Sequence, residues 1–443
     1  MKKRRGIVLA AVTIVTAASL WTTVALLAIA GVETAGIDGG SEAIQEDAAV
    51  HSAVLVFATE LFEQRDDMRV GKAPNLDDQI VLWESGRHAT VARLLPVEGE
   101  RVLVAEAGRL DLNLASVEQL DQVLGRSEAV VSKRNAHRID DVRDVLMQFD
   151  QGPIEATDSG GICQRLTVHA HEPNVQQSGD LRINLDVPWS EELAERIRSR
   201  FNDVVTEALE KILAENPVES DADLMRLILS FDMPPKDWAD AIDAFSMEPV
   251  RYRRGRIDIN AASAEVLASL PGVTADQAAA IVQRRDGLDD ELLATPAWPF
   301  IEDILPTEIA VDFLDRATVG SWTWRLRLAC GEVPGDALDT VLQDARVVDV
   351  IVDVAGEQPR IAMMRDITMR RQACAWPGRG DQLPVAEGEI VEPAPGEVLN
   401  AEPAPGEAVG VESPEPADPN IASEADTVES IEPDDQRLGR WRP

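Results

Sequence analysis

Few residues in this chain are spaced for chemistry. His169 and His171 stand two apart in LTVHAHE, a β-branched and apolar run that predicts a strand, so the two rings would share a face and could meet a metal ion. A zinc site needs further His or Cys at ligand spacing, and none accompanies them, so a surface pair is the expectation. Asp158-Ser159-Gly160-Gly161 carries the letters of a serine nucleophile loop, but it sits in a loop-like run without the all-β surroundings such a protease requires, and reads as a turn. Cys163, Cys330 and Cys374 are far apart and odd in number, which excludes a disulfide framework and a clustered metal site and leaves room for one bridge at most. There is no P-loop and no G-x-S-x-G. The chain reads as a non-enzyme without a cofactor.

Its charge narrows the partners. Among 443 residues, 79 Asp and Glu face 42 Lys and Arg, a net charge of −37, and aromatic residues are only 4%. Nucleic-acid affinity without base contacts comes mainly from neutralising phosphates with Lys and Arg, so this balance argues against nucleic acid. Residues 385–436 contribute 15 of the acids with no Lys, Arg or aromatic residue, and repeat EPAPGE at Glu392–Glu397 and Glu402–Glu407. Such a segment cannot bury enough apolar surface to offset the entropy of ordering, and is expected to be disordered. The rest is long enough for two or three domains.

At the N-terminus, Lys2, Lys3, Arg4, Arg5 and Gly6 precede an apolar run from Ile7 to Ala30, 24 residues long, enough for a helix to span a bilayer. Cations before the run and acids after it predict a cytoplasmic N-terminus with the bulk across the membrane. Three readings fit: a signal peptide ending at Ala28-Ile29-Ala30, an uncleaved anchor, or a short basic leader cut after Gly6. Beyond it, residues 41–64 place small and apolar residues at helical spacing: Ala48, Ala49, Ala53, Val54, Val56, Phe57, Leu61 and Phe62. Strands are expected at Arg87–Leu95, Arg101–Ala105, around Trp322–Cys330, at Val347–Val354 and at Arg360–Thr368.

Between the early and late strands one pattern recurs. At 257–285, Ile259-Asn260 opens a unit in which Leu267 and Leu270 form a helix face, Pro271-Gly272 turns the chain, and Ala278, Ile281 and Val282 face back, with Ser263 as N-cap. A looser copy begins at Leu112-Asn113, with Leu120 aligned to Leu267 and Gly125 to Gly272. A third begins near Asn184, placed in the asparagine position, with a closing helix at 221–228.

These repeats resemble helix-hairpin-helix motifs. In DNA-binding members the glycine-rich turn offers backbone N–H groups to a phosphate; here Thr274 stands where a second glycine is usual, and Asp258, Glu265, Asp276 and Asp286 surround Arg284 and Arg285. A packed module without DNA is the expectation, and a membrane-anchored DNA receptor of the competence type is the alternative. With the leader, the long first helix and the strand TVGSWTWRLRL at 318–328, the order of elements resembles the K-type minor pseudopilins of the type II secretion system. K-type members lack the usual Glu at the fifth mature position, and Ala11 stands there. The resemblance implies an α+β fold: a leader (1–6), a transmembrane helix (7–30) continuing into a pilin-like helix and first strands (31–108), a large all-helical insert with helix-hairpin-helix-like repeats, also described as SAM-like (109–317), pilin-like C-terminal strands (318–384) and an acidic tail (385–443). It implies cleavage by prepilin peptidase between Gly6 and Ile7, an inner-membrane location with the bulk in the periplasm, contacts with types I and J minor pseudopilins, and structural roles for Asn260, Leu267, Leu270, Pro271, Gly272 and Ile281. Some relatives carry Ca2+; no spacing of carboxylates here assigns such a site.

Overall fold

The computed structural model describes residues 44–368, apart from 126, 147–163, 216–217, 232–233, 339 and 343–344. In chain order, α1 covers residues 44–63, followed by α2 (Arg65–Arg69) and strands β1 (Gln79–Ser85), β2 (His88–Leu95) and β3 (Leu103–Ala105). Three modules come next. The first holds β4 (Leu110–Asp111), α3 (Val117–Leu124), α4 (Glu128–Ala136), α5 (Arg143–Leu146) and β5 (Leu166–Thr167). After β6 (His171–Pro173), the second holds β7 (Ile183–Asn184), α6 (Glu191–Arg200), α7 (Asp203–Glu215), α8 (Asp221–Leu229), α9 (Pro235–Ala244) and β8 (Phe245–Ser246). After β9 (Tyr252–Arg254), the third holds β10 (Ile257–Asp258), α10 (Ala264–Ala268), α11 (Ala275–Arg285), α12 (Asp290–Leu293), α13 (Trp298–Ile301), α14 (Ala310–Arg316) and β11 (Ala317–Thr318). The chain then returns as β12 (Thr323–Pro334), β13 (Arg346–Asp353) and β14 (Arg360–Asp366).

The main sheet is antiparallel, in the order β1-β2-β12-β13-β14. The twelve-residue β12 is long enough to pair twice along one edge, with β2 through Arg327–Pro334 and with β3 through Trp324–Leu326. Period-two alternation decides its faces. Trp324, Leu326, Leu328 and Cys330 point to one side, where Val348, Val350 and Val352 join them under Ala53, Val54, Phe57 and Leu61 of α1. On the opposite face Ala329, Leu95, Val347 and Ile367 pack beneath Leu342 and Ala345. The three modules share a separate core that includes Leu112, Leu120, Ile197, Leu267, Ile281, Phe300 and Phe313.

Two expectations are corrected. The transmembrane helix at 7–30 lies outside the described residues, and among the described residues no helix is long and apolar enough to cross a membrane. Helix α1 itself is two-faced: Ala49, Ala53, Phe57 and Leu61 are buried while Asp47, His51, Leu55 and Thr59 are exposed, the pattern of a helix lying on a sheet. The insert is also not all-helical. Each module's entry strand pairs in parallel with its own exit strand, β4 with β5, β7 with β8 and β10 with β11, while β6 and β9 pair antiparallel between modules. The ends of a hairpin that returns to its starting point bury backbone N–H and C=O groups, and a two-residue ladder satisfies them. The acidic tail from 385 lies outside the described residues.

Candidate functional site

The repeated unit is the feature on which a function can be built. Pairing of entry and exit strands fixes the register among the copies: Leu110, Ile183 and Ile257 occupy one position, opposite Leu166, Phe245 and Ala317. Two residues further on, Leu112, Leu185 and Ile259 donate the same backbone bond to the carbonyls of Thr167, Ser246 and Thr318, at 3.0, 3.0 and 2.9 Å. Asp111, Asn184 and Asp258 are therefore equivalent. Each side-chain oxygen accepts the N–H two residues later, from Asn113 (2.8 Å), Asp186 (2.9 Å) and Asn260 (2.9 Å). Asn184 thus does not fill the asparagine position; Asp186 does. Asp and Asn exchange places because the turn needs only an oxygen acceptor.

The same register shows what sequence reasoning missed. Arg109, Arg182 and Arg256 precede the entry strand in all three copies, readable as R-L-D-L-N, R-I-N-L-D and R-I-D-I-N. Ser116, Ser190 and Ser263 cap the first helix of each module through the N–H groups of Gln119, Leu193 and Val266.

In the third module every expected structural residue is placed. Asn260 is a clasp: its Nδ2 donates to the Leu293 carbonyl (2.8 Å) and its Oδ1 accepts Trp298 Nε1 (3.0 Å). Asn113 does the equivalent work in the first module, donating to the Ile139 carbonyl (3.0 Å) and accepting the Ile139 N–H (2.9 Å). Leu267, Leu270 and Ile281 are buried in the shared core. Pro271-Gly272 makes the turn with Gly272 at φ +77, and the turn lies against Ile309: a Cβ on Gly272 would stand 2.6 Å from Ile309 Cγ2. Thr274, in place of a second glycine, caps α11 in a capping box with Gln277.

The cations that a phosphate would need are engaged inside the protein. Arg284 pairs with Glu302 at 2.6 Å, and buried Arg285 donates to the carbonyls of Ala262 (2.6 Å) and Ile259 (3.3 Å). Near the entry of the first module, buried Glu106 accepts from Arg325 Nε (2.7 Å), Arg109 (3.3 Å) and Thr167. Burial raises this carboxyl, but the two arginines outweigh it and hold the group at about 2. At Asp111 and Asp258 burial outweighs the hydrogen bonds from Asn113, Ser321 and Asn260 and the charges of Arg138 and Arg285, and pushes each carboxyl up to about 6. In the second module Asp221 gathers Arg253, Arg256 (2.9 Å) and the Met247 N–H (2.7 Å), beside Glu172, which burial raises.

The two histidines do not converge on a metal. His171 Nε2 lies 3.2 Å from Asp353 of β13 and its Nδ1 lies 3.1 Å from the His169 carbonyl, so this ring clasps the insert to the main sheet. Ser321 Oγ, 2.7 Å from Asp258, and Thr323 Oγ1, 2.9 Å from the His169 carbonyl, strengthen the same junction. Among the described residues no group of three His, Cys, Asp or Glu side chains could hold a metal ion. Cys330 is a free thiol buried on β12, raised to about 12 by burial. Gly6, Ile7, Cys163, Cys374 and the Asp158–Gly161 turn lie outside the described residues. No protein-family model matches the chain, and no curated protein matches it.

Proposed function

We propose that this chain is a minor pseudopilin of K type in a type II secretion system, working at the pseudopilus tip to support protein export across the outer membrane. The observation that carries the reading is architectural. Three hairpin modules are inserted between β3 and β12, strands that are neighbours in a sheet backed by one long helix. An α+β fold with an antiparallel sheet interrupted by an insert supports the reading, although that insert is not all-helical. The chain would work by shape and burial, without catalysis or cofactor, on types I and J minor pseudopilins and the secretion machinery. Its place would be the inner membrane, with the described residues in the periplasm, after prepilin peptidase has cut between Gly6 and Ile7.

The hairpin chemistry supports protein packing over DNA binding. Ile309 sits against the turn at Gly272, Thr274 spends its hydroxyl on the helix cap, and Arg284 and Arg285 have internal partners. Co-expression with types I and J minor pseudopilins, followed by purification through one of them, tests the proposal. Recovery of a stoichiometric complex is expected. Three separately purifying subunits would contradict it.

A further inference from the structure

The first module shows what a buried pair of arginines holds. Glu106, three residues before Arg109, accepts from Arg109 (3.3 Å) and from Arg325 (2.7 Å), so one carboxylate lies between two guanidinium groups. In the second module Arg182 takes the place of Arg109, and the residue three before it is Gly179, at φ +93. The acid is gone, and a second cation stands in its space: a Cβ on Gly179 would collide with Arg69 Nη1. Arg182 Nε donates to the Val175 carbonyl at 3.2 Å, and no carboxylate among the described residues lies within ion-pair distance of its guanidinium. The partner of Arg69 is Asp66, whose side chain is 81% exposed.

Arg69 and Arg182 line one cavity together with Arg253 and Arg256, a space of about 50 Å³ bounded by α2, α9, β6, β9 and β11. Four guanidinium groups thus converge in a chain of net charge −37. The acids of the cavity have partners already. Glu172 accepts from Thr318 Oγ1 and lies 3.9 Å from both Arg253 and Arg256. Asp243 accepts the Gln177 N–H at 2.8 Å and lies 3.8 Å from Arg200. Arg253, 4% exposed, and Arg69 each keep a buried Nε without a hydrogen-bond partner among the described residues. Like charges gathered away from water favour an anion among them. We propose that this cavity binds a small oxyanion, a phosphate or carboxylate group, gripped by Arg69 and Arg182 as Arg109 and Arg325 grip Glu106. The guanidinium fork fits two oxygens of either group. The space, that of about three to five water molecules, admits one such group and no nucleic-acid backbone. The inference rests on the internal repeat and the cavity, and stands apart from the pseudopilin reading.

Calorimetric titration of the purified full-length chain with inorganic phosphate, and separately with acetate, at an ionic strength held constant with chloride, tests it. Saturable one-to-one binding of at least one of the two is expected, with a rise in the unfolding midpoint. The tighter of the two identifies which group the cavity takes. Arg182→Gln and Arg69→Gln should each weaken binding about tenfold or more. Arg69→Gln gives up only an exposed partner, so its fold should survive, and circular dichroism of each variant separates lost binding from lost folding. Arg284→Gln, which does not line the cavity, should bind as the wild type does. Heats and midpoints that match chloride alone, binding indifferent to both cavity substitutions, or binding lost equally in Arg284→Gln would each overturn the proposal.

Discussion

Ile309 Cγ2 lies so close to Gly272 that a Cβ added there would stand 2.6 Å away, at a residue whose φ of +77 already disfavours side chains. Gly272→Ala should therefore cost about 2–3 kcal/mol, combining left-handed strain with a clash against a β-branched neighbour. Gly125, at the matching turn of the first module, has φ +68 and nothing within 4 Å of its added Cβ. Gly125→Ala should cost only about 1 kcal/mol, the backbone strain alone. Urea unfolding of the two variants side by side checks the difference, and equal losses would mean that Ile309 does not press on the turn.

The asparagine clasps give a second contrast. Asn260→Ala removes the bond to Leu293 and orphans Trp298 Nε1, and should destabilise by about 1–3 kcal/mol. Asp186 occupies the same position in the second module but is exposed. Asp186→Ala should fall within about 0.5 kcal/mol of wild type. Thermal unfolding of both variants decides whether the clasp or the residue type matters.

How much of this was legible beforehand follows from the length of each signal. The strands at 88–95, 323–334 and 346–353 were readable because eight or more residues alternate or run apolar between turn signals. β1 was missed: Ile80-Val81-Leu82-Trp83 is a short apolar run that periodicity cannot assign, and it becomes a strand by pairing with β2. The entry and exit ladders, two residues each, are too short to show any period. Matching by residue type places Asn184 in the asparagine position, two residues from where the fold places it, because the fold matches by acceptor oxygen. The recurring arginine at 109, 182 and 256 would have fixed that register from sequence alone.

Stability should peak in mildly acidic solution. Glu106, held at about 2 against an ordinary 4.5, and Asp353, held at about 2 by His171 and Arg360 against the push of burial, bind fewer protons folded than unfolded. Their contribution is complete above about pH 4.5 and is lost as pH falls toward 2. Asp111 and Asp258, raised to about 6 by burial, run the other way: the folded state binds more protons between pH 3.8 and 6, so stability declines as pH rises through 6. Unfolding midpoints from pH 2 to 8 should therefore be highest near pH 4–5, and Asp258→Asn should flatten the decline above it. A midpoint rising steadily through pH 6 would contradict the burial of both aspartates.

The two arginines of α11 should behave differently from a DNA-binding pair. Arg285→Ala removes a buried donor from two carbonyls and should destabilise by about 1.5–3 kcal/mol, whereas Arg284→Ala breaks a half-exposed ion pair and should cost no more than about 1 kcal/mol. The wild-type chain should show no salt-dependent retention on duplex DNA at low ionic strength. Retention that falls steeply with salt and disappears in Arg284→Ala would point to the hairpin as a phosphate site.

The central claim, a K-type minor pseudopilin, is tested most directly by intact and N-terminal peptide mass spectrometry on the protein taken from its native membranes. The account predicts a chain that begins at Ile7 with a methylated amino group. A chain that begins at Gly31, as an ordinary signal peptide would leave it, or one that retains Met1, would contradict it.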